Sequence, residues 1–211
     1  NQELQGLATS SIPVIPSAYS GYLKDPNVAV GFRKKYANRV IIGHVGALVD
    51  RHKGQRVLME VAKNLEHTFP ECLFVFFGSG EDEDTFKKES MNISNIVWAG
   101  FKDNINDYLP GLDVFVFPSR NEGLGSVLLD VMNARVPIIA SDVGGIPDLI
   151  QHGSTGFLVP VGSHREIAHW ILELTQNTRL KESVVEKALS SLDYYSKDMM
   201  AKKYCELYKE L

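Results

Sequence analysis

Cysteine is scarce in this sequence: Cys72 and Cys205 are the only two in 211 residues. One falls in an expected core strand and the other in the expected last helix. A disulfide framework or a cysteine-rich metal site is therefore excluded, and both read as reduced structural thiols of a cytosolic protein. Long apolar runs are missing too. The longest, CLFVFF at 72–77, is far too short to cross a bilayer. No charged start leads into an apolar stretch with a small-residue cleavage site, so no signal peptide is visible. Nor is there an excess of positive charge. The 22 Lys and Arg against 26 Asp and Glu leave a formal net charge of −4, which offers nucleic acid no attractive field. Internal repeats and low-complexity tracts do not occur. An initiating Met is also lacking, and NQELQGLATSSIPVIP reads as the tail of a helix plus a short strand. The chain is accordingly expected to be a piece of a longer one.

What is present is a soluble composition, 44% hydrophobic and 23% charged, enough for one substantial core. Short apolar runs alternate with helical patterns from residue 39 onward. Strands are expected at 40–46, 72–77, 95–100, 113–117, 137–140 and 156–159, almost continuously apolar as strands covered on both faces should be. Helical patterns lie between them at 55–69, 83–89, 105–109 and 126–133, and follow them at 165–175, 180–190 and 197–211. Val57, Leu58, Val61, Ala62 and Leu65 keep the three-and-four spacing of a buried helical face. This alternation predicts an α/β fold with a doubly wound parallel sheet, Rossmann-like.

Ligands of such sheets bind at the carboxyl ends of the strands. The loops there read ALVDRHKG, GSGED, GFKD, PSRNEGLG and SDVGGIPD. Glycines such as Gly78 and Gly100 let backbone approach a ligand closely. EGLGS opens a helix, so the amides of Gly125, Ser126 and Val127 lack intrahelical partners and sit at the positive end of the helix dipole, where a phosphate fits. Lys53, before Gly54 at another helix start, reaches toward the same anion, with Arg51 nearby. Lys beside a helix start is equally compatible with a solvated loop.

Glu122 sharpens the pattern. A carboxylate repels phosphate, so its partner is better a hydroxyl-rich neutral group, and a sugar fits. Each charge-assisted bond to a hydroxyl contributes roughly 1.5–3 kcal/mol. The plainer alternative is a cap on the following helix. Asp130 lies one turn inside that helix among apolar residues and needs donors, either ribose hydroxyls or a neighbouring loop. Two carboxylates bracketing a diphosphate suit a nucleotide-sugar.

The ordered series VGALVDRHKG, FFGSGED, VWAGFKDNINDYLPGLDVFVFPSRNEGLG, VLLDVMNARVPIIASDVGGIPDLI and HGSTGFLVP resembles the C-terminal, donor-binding domain of the family 4 retaining glycosyltransferases of GT-B architecture, of the bacterial surface-polysaccharide type. The resemblance runs from VIPSAY to the C-terminus. It implies that Lys53 contacts the donor diphosphate, Glu122 the sugar hydroxyls, Asp130 the ribose, and the amides of Gly125 to Val127 the phosphate. The loop Gly100, Phe101, Lys102 would hold the base, mainly through backbone. The implied donor is a nucleotide-sugar, UDP-linked in the first instance, carrying a hexose or N-acetylhexosamine. The acceptor, a glycan or a lipid-linked sugar, would bind through an N-terminal domain lying outside this chain.

That resemblance sets further expectations. Residues 1–15 would be the tail of the acceptor domain, 16–38 an interdomain linker, 39–195 the nucleotide-sugar domain, and 196–211 a helix packing back toward the absent half. No metal or other cofactor is expected. The enzyme would be cytoplasmic and peripheral on the membrane face through its other domain, while this piece is inactive alone. None of the six histidines is a candidate for the catalytic role, His152 and His164 reading as surface loop residues. The family's two glutamates stand eight apart, whereas here the second is Asp130, and an arginine of the family is replaced by Ala47, with Arg51 the nearest substitute. Two other readings stay open: a sugar-nucleotide epimerase of the same architecture, and a non-catalytic nucleotide-binding module.

Overall fold

The computed structural model describes residues 15–19, 21 and 25–210. The expected helix tail and strand at the start fall almost wholly outside the described residues. In chain order the elements are α1 (Asn27–Lys35), β1 (Val40–Val45), α2 (Asp50–Lys53), α3 (Gln55–Leu65), β2 (Cys72–Phe77), α4 (Glu83–Glu89), β3 (Ile96–Gly100), β4 (Val114–Phe117), α5 (Val127–Asn133), β5 (Ile138–Ser141), α6 (Ile146–Leu149), β6 (Phe157–Val159), α7 (His164–Gln176), α8 (Thr178–Ser191) and α9 (Lys197–Glu210). All strand pairs are parallel, in the order β3-β2-β1-β4-β5-β6. The doubly wound α/β fold read from the alternation is the fold observed.

Side chains alternate across each strand, and this divides the core into two layers. Leu73, Val75 and Phe77 of β2 join Phe115 and Phe117 of β4 on one face, under Leu128, Leu129 and Met132 of α5. Phe74 and Phe76 join Val114 and Val116 on the other, under Val57, Leu58 and Val61 of α3 and Ile167 and Ile171 of α7. All six residues of β2 are buried, which is why CLFVFF is apolar without interruption.

Four local features differ from the sequence reading. The 105–109 stretch forms two 3-10 turns, Ile105–Asp107 and Leu109–Gly111, because Pro110 and Gly111 cannot extend an α-helix. The four-residue helices α2 and α6 occupy stretches read as loops. Within 16–38, read as a linker, α1 buries Ala29 and Phe32, and Phe32 packs into the first core layer. His164 starts α7 and does not lie in a loop.

The strand order turns back between β1 and β4. The chain leaves β1 toward β2 and β3 on one side and returns to β4, β5 and β6 on the other. Loops that follow β1 and β4 therefore diverge and leave a crevice at their carboxyl ends.

Candidate functional site

Lys53 and Glu122 meet across this crevice. Lys53 ends α2, which stops because Gly54 adopts a left-handed φ of 66°. A side chain on Gly54 would put its Cβ 2.2 Å from the Pro118 carbonyl oxygen, so only glycine lets this corner lie on the loop after β4. The His52 carbonyl accepts from Arg120 N at 2.8 Å and Asn121 N at 3.2 Å, locking the two loops together. Lys53 Nζ then lies 2.5 Å from Glu122 Oε2, with side-chain exposures of 22% and 14%. Ser119 Oγ donates to the same oxygen at 3.3 Å, and the Lys53 ammonium stands 5.4 Å above the Phe117 ring.

The loop carrying Glu122 is held from behind by peptide contact. Gly145 N donates to Gly123 O at 2.6 Å, and a Cβ on Gly144 would stand 1.9 Å from Glu122 O. The pair of glycines in SDVGGIPD thus serves to let α6 abut the Glu122 loop. Ser126, the residue before α5, provides no side-chain cap, and the first backbone bond there runs from Leu128 N to Gly125 O at 2.9 Å. The amides of Gly125, Ser126 and Val127 precede that bond. Glu122 Oε2 accepts from Lys53 and Ser119. Asp130 lies half-buried one turn into α5.

Beside the ion pair opens a cleft of about 350 Å³, lined among others by Gly46, Ala47, Gly78, Ser79, Phe101 and Lys102. It collects the ends of β1, β2 and β3. Gly78, at φ 136°, packs against Gly46 O and donates its amide to Gly100 O at 3.0 Å, which ties the three loops together. Phe101 is largely exposed at the rim. Arg51 is well exposed, and its NH1 reaches Glu81 Oε1, in the loop after β2, at 3.2 Å. The structure therefore brings together Lys53, Glu122, Gly125, Ser126 and Val127 on one side and Gly78, Gly100, Phe101 and Lys102 on the other, with Asp130 one turn deeper.

Sequence reasoning missed the supports. Buried Asp50 takes the amide of Arg56 at 2.7 Å, lies 3.5 Å from Arg120, and has its own amide bonded to Asp82 Oδ2 at 2.8 Å. It thereby joins three loops behind Lys53. His44 and Gln55 are also fully buried. Only their position beside the DRHKG segment hinted at them. Among the described residues, no group of three His, Cys, Asp or Glu side chains is placed to hold a metal ion.

A doubly wound parallel sheet with Lys53 and Glu122 paired at its switch point, and a cleft beyond the ends of β1, β2 and β3, defines a Rossmann-like α/β domain of the GT-B kind. Comparison with known proteins gives the family: residues 31–190 match the glycosyl transferases group 1, and the chain belongs to that family. It is 28% identical over 175 residues to the N-acetyl-alpha-D-glucosaminyl L-malate synthase of Bacillus anthracis, covering 81% of this chain and 45% of that protein. It is also 28% identical over 158 residues to the capsular polysaccharide biosynthesis glycosyltransferase CapM of Staphylococcus aureus, covering 72% of this chain and 41% of CapM. The chain thus spans less than half the length of these curated relatives. Among solved structures, Anabaena HepE in complex with UDP and glucose superposes with a TM-score of 0.84 at 22% identity, over 94% of this chain and 57% of that one, which establishes likeness of fold.

Proposed function

We propose that this chain is the donor-binding half of a retaining glycosyltransferase that transfers a hexose or N-acetylhexosamine from a nucleotide-sugar, UDP-linked in the first instance. The observation that carries the reading is the Lys53–Glu122 pair at the switch point, a cation and an acid held within 2.5 Å beside an open cleft. A donor diphosphate competes with Glu122 for the Lys53 ammonium and takes the free amides of Gly125 to Val127 as well. Glu122, released, keeps acceptor capacity for the hydroxyls of the sugar. Asp130 lies one turn deeper for the ribose, and Gly78, Gly100, Phe101 and Lys102 border the space for the base.

Catalysis in this reading is placement plus charge stabilisation. As the bond from the anomeric carbon to the diphosphate oxygen breaks, negative charge grows on the leaving group, where Lys53 and the helix amides stand. UDP as the nucleotide is supported by the ligands named for the similar HepE structure, and an amino sugar by the name of the Bacillus relative. Similarity to CapM, named for capsular polysaccharide biosynthesis, supports a setting in cell-surface polysaccharide synthesis, for which a glycan or lipid-linked acceptor is proposed. That acceptor, and attachment to the cytoplasmic membrane face, would involve a domain outside this chain. Among the described residues, no helix is long and apolar enough to cross a membrane.

Ligand-observed NMR with UDP-, GDP- and ADP-sugars tests the reading. UDP and a UDP-sugar should bind at micromolar to millimolar affinity, since half a cleft leaves the donor partly in water. Lys53→Ala should weaken both ligands. Glu122→Ala should weaken only the sugar conjugate, by roughly ten- to a hundredfold, while UDP holds or gains affinity because its competitor for Lys53 is gone. Equal loss for the two ligands in the Glu122 variant would remove the acid from the sugar site, and absence of binding by every nucleotide-sugar would overturn the function.

A further inference from the structure

Beneath Lys53 runs a buried polar chain that the chemistry above does not use. His44, in β1, is fully enclosed, and its Nδ1 lies 3.1 Å from the Val116 carbonyl oxygen of β4. A carbonyl only accepts, so Nδ1 carries the ring proton and Nε2 is left as an acceptor. Gln55 Nε2 faces that nitrogen at 3.4 Å and donates its other hydrogen to Ala47 O at 2.7 Å. Ala47 O also accepts from Val49 N at 2.9 Å, and Val49 O in turn accepts from Lys53 N at 2.9 Å. The connection therefore passes from β4 through His44 and Gln55 to the turn that starts α2, and ends on the backbone of Lys53.

The side chain of Lys53 occupies the same neighbourhood. A Cβ on Gly46 would stand 3.4 Å from His44 Nε2 and 3.7 Å from Lys53 Cδ, so the lysine stem and the imidazole flank one glycine. Gln55 Oε1 is buried without a partner. Turning the amide over would not help, because two oxygens would then face each other at the 2.7 Å now spanned by the bond to Ala47. Burying an amide oxygen unsatisfied is costly, and an apolar residue would pack there without that cost. What the amide supplies instead is direction.

We infer that His44 and Gln55 are positioning residues for the donor site, a neutral imidazole and an amide that fix the Ala47–Val49 turn so that the Lys53 ammonium stands over the switch point. The inference rests on the donor-binding role of Lys53 proposed above. It requires an uncharged ring, since an imidazolium would point a second N–H at the Gln55 amino group and a second cation at Lys53. Burial, with the nearby Lys53 charge adding to it, holds the His44 pKa at about 4.

The test is a pair of double-mutant cycles on UDP affinity, using the 211-residue chain. His44→Phe and Gln55→Met are each made alone and together with Lys53→Ala, with the thermal midpoint recorded for every variant. Gln55→Met keeps side-chain length and tests the same connection from its other end should His44→Phe not fold. Each should weaken UDP by about three- to tenfold when Lys53 is present, the effect of one lost hydrogen bond. Neither should alter the residual affinity of the Lys53→Ala chain. Equal losses in both backgrounds would show a packing role and overturn the inference. UDP binding that depends on Lys53 but ignores His44 and Gln55 would overturn it while leaving the donor reading intact. Absence of UDP binding by the unsubstituted chain would overturn the donor reading itself.

Discussion

Asp113 and Glu122 stand at opposite ends of β4, and each is held by a cation. Arg33 NH1 lies 2.6 Å from Asp113 Oδ2, much as Lys53 Nζ lies 2.5 Å from Glu122 Oε2. Their remaining partners differ. Asp113 Oδ2 also accepts the backbone amide of Ile41 at 2.8 Å, so this acid is committed to the start of the sheet. Glu122 is bonded through side chains, Lys53 and Ser119, both able to rotate away. An acid fastened by backbone is part of the scaffold, whereas one fastened by side chains can exchange its partners for a ligand. The glycines follow the same division. Gly54, near Glu122, is pressed on the Pro118 carbonyl, while Gly153, in the loop before β6, has nothing within 4 Å of a Cβ built on it.

The largest effect should come from breaking that contrast at the glycines. Both residues have positive φ, 66° at Gly54 and 71° at Gly153, so alanine carries the left-handed penalty of about 1–2 kcal/mol at either. Only at Gly54 does the methyl also collide with backbone, at 2.2 Å from Pro118 O. Gly54→Ala should cost about 4 kcal/mol in denaturant unfolding and Gly153→Ala about 1 kcal/mol. Equal costs would mean that the α2 corner does not need to touch the loop after β4.

Next in size is a pH effect rooted beneath the ion pair. A histidine in the unfolded chain takes its proton near 6.5, whereas folded His44 withholds it until about 4. Between those values the unfolded state holds the extra proton, so acid favours unfolding. The contribution is whole above pH 6.5 and is lost as pH falls, reaching about 3 kcal/mol by pH 4. His44→Phe should flatten the stability profile in this window. An unchanged slope in that variant would place the acid sensitivity elsewhere.

The sheet was legible because each strand is nearly all apolar and each is followed by glycine-bearing or polar loops. CLFVFF, buried at every position, is the plainest case. That Lys53, Glu122 and Gly125 lie in the connections at the carboxyl ends of strands was legible from the apolar runs ahead of them. Their mutual ion pair was not, because it depends on strand order, and β1 and β4 become neighbours only through the return of the chain across the sheet. Gln55 was hidden for a different reason. Its sequence neighbours make it the first residue of an amphipathic helix, where glutamine is unremarkable, and only the fold encloses it. Helix α1 escaped because nine residues with two buried side chains give little periodicity to read.

The smallest expected difference concerns the two acids themselves. Asp113→Ala strands the amide of Ile41, a fully buried residue, and leaves half-exposed Arg33 with only its 3.4 Å bond to Gly111 O. An unsatisfied buried N–H costs about 1–3 kcal/mol, and the exposed part of the arginine pair adds little, so about 2 kcal/mol should be lost. Glu122→Ala strands no backbone group. The Lys53 side chain is partly exposed on a flexible stem and can turn toward water, which limits the loss to about 1 kcal/mol. Denaturant melts of the two variants, made alongside the UDP titrations, measure the gap. A larger stability loss at Glu122 than at Asp113 would show that the upper pair is scaffold as well, and that Glu122 is not free to leave Lys53 for a ligand.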